Sequence, residues 1–438
     1  IARAISPSGG ASDPAGLALA GTAISMTRRQ DGLDAEFAIT LKVVKPGQSS
    51  ITTPELHSAR PSMQQPLLFT PLTLRGVTAT NRCVLSPMVQ HKAADGEVND
   101  EHLVHLGKFA IGGFGIVFTE NCAVEPRGRV TQGDLGLWHD AQIPGHRRLV
   151  QFLQRHGSLA GIQISHSGRK GSMPRPFDPP GQLGPADANW QPWELVGPSA
   201  LKAGESFRTP FELTVEQIDT LIERFGDAAR RADAAGYDVI ELHAAHGYLL
   251  AQFLSPISNQ RSDAYGGDLA GRMRFPLAVA GAMREALATH KPLFVRVSAL
   301  DGAGGWDLND TIVLARELKA LGIDVIDCSS GGLTGLATSQ PIQRTPGFQV
   351  PFAAAVRRQA GISAMAVGLI LDGTQAEAIL QADDADLIAI GRQALYDPFW
   401  PLHAARELGW DRDFALWPPE SGWWLNKRRA NLPGETRF

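Results

Sequence analysis

Eight short apolar, β-branched runs recur between residues 82 and 391, and they constrain the fold more than any other feature of the chain. They read RCVLSP (82–87), GIVFTE (115–120), AGIQIS (160–165), DVIELH (238–243), LFVRVS (293–298), DVIDCS (324–329), SAMAVG (363–368) and DLIAIG (386–391). Several are apolar almost throughout, as strands covered on both faces are. Helical patterns separate most of them. TVEQIDTLIERFGDAARRADAAG (214–236) spaces its apolar residues three and four apart, opens on a Thr-x-x-Gln cap and closes on Gly. NDTIVLARELKALG (309–322) repeats the design. This alternation predicts an α/β chain folded as a (β/α)8 TIM barrel, an architecture that takes ~250 residues and more with insertions. A doubly wound open sheet is the competitor, but no G-x-G-x-x-G follows the first run.

The rest of the chain divides around this rhythm. Residues 1–62 read as a flexible N-terminal extension or leader: SPSGGASDPAGLALAG is small and turn-rich, and AEFAITLKVV (35–44) reads as a short strand. The barrel domain is expected over 63–410, with 411–438 as a tail suited to a subunit contact. Residues 171–210 interrupt the periodicity with Pro, Gly, Trp190 and Trp193. A long aperiodic insertion after the third strand reads as a lid or pocket wall.

Charge and cysteine usage exclude some partners. The formal net charge of −4 favours neither nucleic acid nor an anionic membrane. Cys83, Cys122 and Cys328 are far apart and form no CxxC, which points to a reducing, cytoplasmic setting. The apolar runs are too short to span a bilayer, and the N-terminus lacks a signal-peptide pattern.

Barrel chemistry gathers at the C-terminal ends of the strands. Reactive residues do cluster there: Ser86-Pro87-Met88 after the first, Glu120-Asn121 after the second, Gln163 and His166 with the third, and His243 and His246 with the fourth. Arg296 lies on the fifth, Gly368 after the seventh, and Gly391-Arg392 after the eighth. Gly lets the backbone approach a phosphate closely and Arg supplies charge. His243 and His246 also suit a metal, but no third ligand stands at suitable spacing.

LFTPLTLRGVTATNRCVLSPM (68–88), IQISHSGRKG (162–171), AGYDVIELHAAHGYLLAQFLSPISNQRSDAYGGDLAGRMRF (235–275), LFVRVSA (293–299), DVIDCSSGG (324–332) and DLIAIGRQALYDPFW (386–400) resemble the Old Yellow Enzyme family of flavin-dependent oxidoreductases, in its thermophilic-like bacterial ene-reductase branch. The resemblance runs from about 66 to about 405 and implies a noncovalent FMN, with NADPH or NADH as co-substrate. It implies that Ser86, Pro87 and Met88 lie along the flavin, with Val89 beside them. Gln163 would face the pyrimidine edge, Arg296 the N1 region, and Gly368, Gly391 and Arg392 the phosphate. A fixed cation near N1 tunes the potential of a flavin that is anionic when reduced. Hydride would pass from flavin N5 to the β-carbon of an activated alkene, an α,β-unsaturated carbonyl or nitro compound, in a ping-pong cycle. His243 and His246 would donate to the carbonyl oxygen, each for ~3 kcal/mol by analogy with oxyanion holes. Tyr248 would protonate the α-carbon.

The chain departs from the branch at several points. Val89 replaces a common Cys and His91 a common substrate-binding Tyr, so His91 is expected to donate to substrate and to add a pH dependence. Asn121 stands where a small residue is common and is expected to contact the flavin. The tail carries Arg428 and Arg429 without the usual arrangement of an arginine that crosses a dimer interface; a homodimer remains expected. No cysteine follows Cys328, so an iron–sulfur cluster is not expected. The Pro/Trp insertion motivates an alternative, a catabolic reductase of an aromatic or alicyclic acyl thioester. A flavin-free aldolase-like or phosphate-sugar barrel would need a catalytic Lys or metal carboxylates at strand ends, and Lys170 reads instead as a pocket residue.

Overall fold

The structure, a computed structural model, describes residues 22–25, 40–43, 64–177, 192–335 and 344–432. The chain divides into two compact units, Ile1–Ser62 and Met63–Phe438. In the first, Thr22–Ser25 and Thr40–Val43 pair antiparallel, the latter within the AEFAITLKVV run. The other residues of the expected extension lie outside the described ones.

In the second unit each of the eight runs is a strand: β1 Cys83–Leu85, β2 Ile116–Ala123, β3 Leu159–Ser165, β4 Val239–Ala244, β5 Leu293–Ser298, β6 Val325–Ser329, β7 Ser363–Val367 and β8 Leu387–Ile390. They pair in parallel and in order, and β8 returns to β1, closing a barrel. The helices outside are α1 Asp100–Ile111, α2 Ile143–Arg155, α3 Val215–Ala235, α4 Leu269–Ala286, α5 Leu308–Ala320, α6 Val350–Ala360, α7 Gly373–Gln381 and α8 Trp400–Glu407. Helix α3 begins where the sequence reading placed it. Thr214 accepts from the Gln217 N–H, and the Gln217 side chain returns to the Thr214 backbone N–H. Helix α5 starts earlier than the Asn309 reading because Asp307 is the cap, accepting from the Asn309 and Asp310 N–H groups.

Strand side chains alternate, so the barrel has two apolar regions. One lies between strands and helices. The other fills the lower interior with Val84, Ile116, Phe118, Val239, Phe294, Val325, Met365 and Leu387, joined by Leu74 and Ala79 of a small antiparallel ribbon, Leu72–Leu74 with Val77–Ala79. Above this layer the interior turns polar, and that change of chemistry locates the site.

Of the 171–210 insertion, residues 178–191 lie outside the described residues. Its C-terminal flank forms a short parallel pair, Val196–Gly197 with Phe211–Glu212. Trp193 donates to the Arg127 carbonyl at 3.0 Å, and Phe177 meets His91 edge-on at 5.9 Å. No helix among the described residues is long and apolar enough to cross a membrane.

Candidate active site

The polar layer is built by strand register. Asn121, Gln163 and Glu241 are successive partners across β2, β3 and β4, and His243, Arg296 and Asp327 across β4, β5 and β6. A register shift between Phe118 and Asn121 in β2 re-aims Asn121, which is buried. Gln163 donates to Glu241 Oε1 at 2.8 Å. Arg296 Nε lies 3.2 Å from Asp327 Oδ2, while its Nη1 donates to Ser86 Oγ at 2.9 Å. Burial and the nearby Asp327 push the Glu241 carboxyl up to about 8, so it stays protonated near neutrality. Burial also raises Asp327, against the pull of Arg296. The proton on Glu241 spares this layer a second buried negative charge next to Asp327.

His243 of that layer pairs with His246, which follows β4. The Ala245 N–H donates to His243 Nδ1 at 3.1 Å, which leaves the proton of that ring on Nε2. His243 Nε2 meets His246 Nδ1 at 3.2 Å, and His246 Nε2 meets Ser329 Oγ at 2.7 Å. The sequence reading had both rings donating to one external oxygen. Among the protein's own groups the two rings form a chain of contacts, His243 to His246 to Ser329. Burial, followed by Arg296, lowers both imidazoles, His243 to about 3 and His246 well below its ordinary value. Both are neutral at physiological pH and act as hydrogen-bond donors rather than acids. The Tyr248 ring lies 4.9 Å from that of His243, and burial pushes its phenol well up.

A cavity of about 310 Å³ opens beside the pair. It is lined by His246, Arg296 and Ser329, by Ser86, Pro87 and Met88, and by Gly368, Gly391 and Arg392. A Cβ on Gly391 would meet nothing nearer than 3.9 Å, so this backbone is open to the cavity. Two lining arginines, Arg296 and Arg392, and the open backbone at Gly391 fit an anionic cofactor such as FMN.

Eight of the residues expected at the site line this cavity. Val89, His91, Asn121, Gln163, His243 and Tyr248 do not. Asn121, Gln163 and His243 belong to the polar layer of the strands. His91 is tied away, its Nδ1 2.9 Å from both Asp134 Oδ1 and Thr131 Oγ1. His166, flagged at the end of β3, is structural: it is buried, with Nε2 2.9 Å from Glu125 Oε1. Lys170 is not a pocket residue but a buried one whose ammonium donates to the carbonyls of His246 and Gly332. Burial and neighbouring Arg169 lower its pKa to about 7. Ser329, Ser330, Arg344, Phe348 and Gln349 also line the cavity and were missed. The two serines end β6 and fit the strand-end rule. The other three follow a segment without periodicity and gave no signal.

A parallel eight-stranded barrel with this cavity and polar mouth defines a cofactor-dependent barrel enzyme. Residues 67–410 match the model of the NADH:flavin oxidoreductase / NADH oxidase family. The chain is 42% identical over 346 residues to an NADPH dehydrogenase of Geobacillus thermodenitrificans, covering 78% of this chain and 95% of that one. An NADPH dehydrogenase of Listeria innocua is 45% identical over 345 residues, with the same shares covered. Among solved structures, morphinone reductase superposes with a TM-score of 0.66 at 27% identity, covering 80% of this chain and 91% of that one. A 2-naphthoyl-CoA reductase complex superposes at 0.70 with 25% identity over 79% of this chain, which spans about half (53%) of that enzyme. The chain belongs to the NADH:flavin oxidoreductase, or Old Yellow Enzyme, family. It is an NAD(P)H-dependent flavin oxidoreductase with FMN as its cofactor.

Proposed function

We propose that this oxidoreductase is an ene-reductase of α,β-unsaturated carbonyl or nitro compounds. The observation that carries the reading is the neutral His243–His246 pair at the end of β4, beside a cavity that His246 and Arg296 line. FMN, when bound, supplies the hydride it has taken from NAD(P)H. Ser86, Pro87 and Met88 line its ring, and Arg296, held by Ser86 and Asp327, offsets negative charge there. Gln163, which donates to Glu241, and Asn121 belong to the same polar layer of the barrel as Arg296. Gly368, Gly391 and Arg392 receive the phosphate. A carbonyl oxygen takes the Nε2–H of each imidazole in place of His246 Nδ1 and Ser329 Oγ. Neutral donors gain strength as negative charge develops on that oxygen. Tyr248, kept protonated by burial, holds the proton for the α-carbon.

The test is anaerobic reoxidation of the reduced FMN enzyme by 2-cyclohexenone. Tyr248→Phe is expected to slow reoxidation while reduction by NAD(P)H proceeds at the wild-type rate. Equal loss in both half-reactions removes Tyr248 from the proton step, and no reoxidation of wild type by any enone removes the reading.

The likeness to a 2-naphthoyl-CoA reductase favours one second reading, an acyl thioester as oxidant. The 171–210 insertion would then form the wall for a large substrate, and bulky thioesters would outpace cyclohexenone in the same assay. The expected homodimer is proposed with the exposed Trp423 and Trp424 of Pro419–Ala430 at its contact. Arg429 is bound to Asp413 of its own chain. Light scattering with Trp423→Ser tests that placement. The buried thiols of Cys83, Cys122 and Cys328 suit a reducing, cytoplasmic setting.

A further inference from the structure

We propose that Lys170 is a positioning residue of the active site, holding the backbone turn that aims His246 into the cavity. His246 is in the left-handed region, φ +58°, where a Cβ is unfavourable and the conformation must be imposed by its surroundings. Each polar group of the residue has a partner. Its N–H donates to Ser298 Oγ at 2.9 Å, and Ser298 in turn donates to the Gly331 carbonyl at 2.8 Å. Its ring nitrogens meet His243 and Ser329. Its carbonyl accepts from Lys170 Nζ at 2.9 Å.

That last contact is unusual in its chemistry. Lys170 is 3% exposed and sits in the turn Gly168–Lys170 that follows β3. The partners of its ammonium are two main-chain carbonyls, of His246 after β4 and of Gly332 after β6. Arg169 beside it does the same, donating to the carbonyls of Leu201, Lys202 and Leu333. Arg169, and Lys170 whenever it is protonated, are buried cations satisfied by carbonyls, and burying a charge without a carboxylate is unfavourable as pure structure. Apolar side chains would pack the same space at less expense. The cations therefore clip the loops after β3, β4 and β6 into one arrangement, and the loop after β4 carries His246. Gly332 lies so close that a Cβ there would come within 2.8 Å of His246 Cα, which leaves the turn no slack on that side.

The inference rests on the ene-reductase reading, and the experiment separates the two. Lys170→Met and Lys170→Gln are made in the wild-type and His246→Ala backgrounds and studied as FMN-loaded full chains, with FMN affinity and circular dichroism as controls for the fold. K170M is expected to slow reoxidation by 2-cyclohexenone at least tenfold. K170Q, which keeps a donor, should recover part of the loss. On the H246A background K170M should change the rate less than twofold, because a residue that acts through His246 has nothing left to position. A tenfold loss on that background, or none in wild type, overturns the proposal. If K170M does not bind FMN, K170Q carries the same comparison. The second arm uses no substrate. In ¹⁵N-histidine-labelled protein, K170M should shift the His246 ring signals, identified by their loss in H246A, and leave those of buried His146 in place. Unmoved His246 signals overturn the proposal. A shift together with an enone-inert wild type leaves Lys170 its role and removes the ene-reductase reading.

Discussion

Arg296 does two jobs with one guanidinium, and the planar fork is what permits it. One nitrogen faces Asp327 and another Ser86, in different directions. Removing the cation leaves Asp327 buried and unpaired, so Arg296→Met is expected to lower stability by about 3–5 kcal/mol, the scale for breaking a buried pair. Adding Asp327→Asn should restore part of it, as read by urea midpoints of the flavin-free proteins. The His pair predicts a different signature. In the proposed reaction each imidazole is one donor to the developing oxyanion, so each of His243→Ala and His246→Ala should slow enone reduction about 100- to 1000-fold. Neither should move the pH profile between 6 and 8, since both rings are already neutral there. A titration lost in His243→Ala would show that the pair carries a proton, whereas one lost in His246→Ala alone would trace to Lys170, which is lowered to about 7 and bonded to the His246 carbonyl.

At the scale of elements, the loops after β4 and β6 are fitted against each other. Gly332 has φ +90° and its missing Cβ lies 2.8–2.9 Å from the His246 backbone, whereas Gly304, at φ +88°, has nothing within 4 Å. Gly304→Ala should therefore show left-handed strain alone, about 1–2 kcal/mol. Gly332→Ala should lose more and also raise the KM for enones, because it displaces His246; equal effects in the two variants would mean that the loops are not tightly packed. The strands that position these loops were legible because eight apolar runs state their own period, and Thr214 with Gln217 announced α3 in the same way. The cavity lining was legible where a barrel strand or its end carries the group, as at Arg296, His246 and Gly391. It was not legible where the partner is remote: nothing near Lys170 in sequence indicates the carbonyls of His246 and Gly332, and nothing near His91 indicates Asp134. Val89, adjacent to Met88, was expected at the flavin, but adjacency does not fix direction, and it stands off the cavity.

Over the whole molecule, buried titratable groups set opposing slopes of stability with pH. Burial lowers His102, His105 and His146 to about 4, and His166 and His243 to about 3, with His246 also depressed. Below pH 6.5 the unfolded chain binds protons that these folded imidazoles refuse, so stability is lost as pH falls toward 4. Glu120 and Glu241 run the other way. Burial raises both to about 8, and each binds a proton when folded that it lacks when unfolded above pH 4.5. Their contribution is full below 4.5 and is lost as pH rises to 8. Between 4.5 and 6.5 six imidazoles outweigh two carboxyls, and stability climbs. Above 6.5 the imidazoles drop out and the carboxyls remain, each at about 1.4 kcal/mol per pH unit. From pH 7 Lys170, lowered to about 7, opposes them with one group against two. The expected profile has its maximum near pH 6.5, a steep acid limb and a shallower decline to pH 8. Thermal unfolding at saturating FMN across pH 4.5–8 measures it. Glu120→Gln, which removes one of the two carboxyls, should flatten the decline above 6.5 and leave the acid limb steep. A decline unchanged in that variant would mean that Glu120 is ionised in the fold, with His102, whose Nε2 lies 4.0 Å from Glu120 Oε2, holding the proton instead.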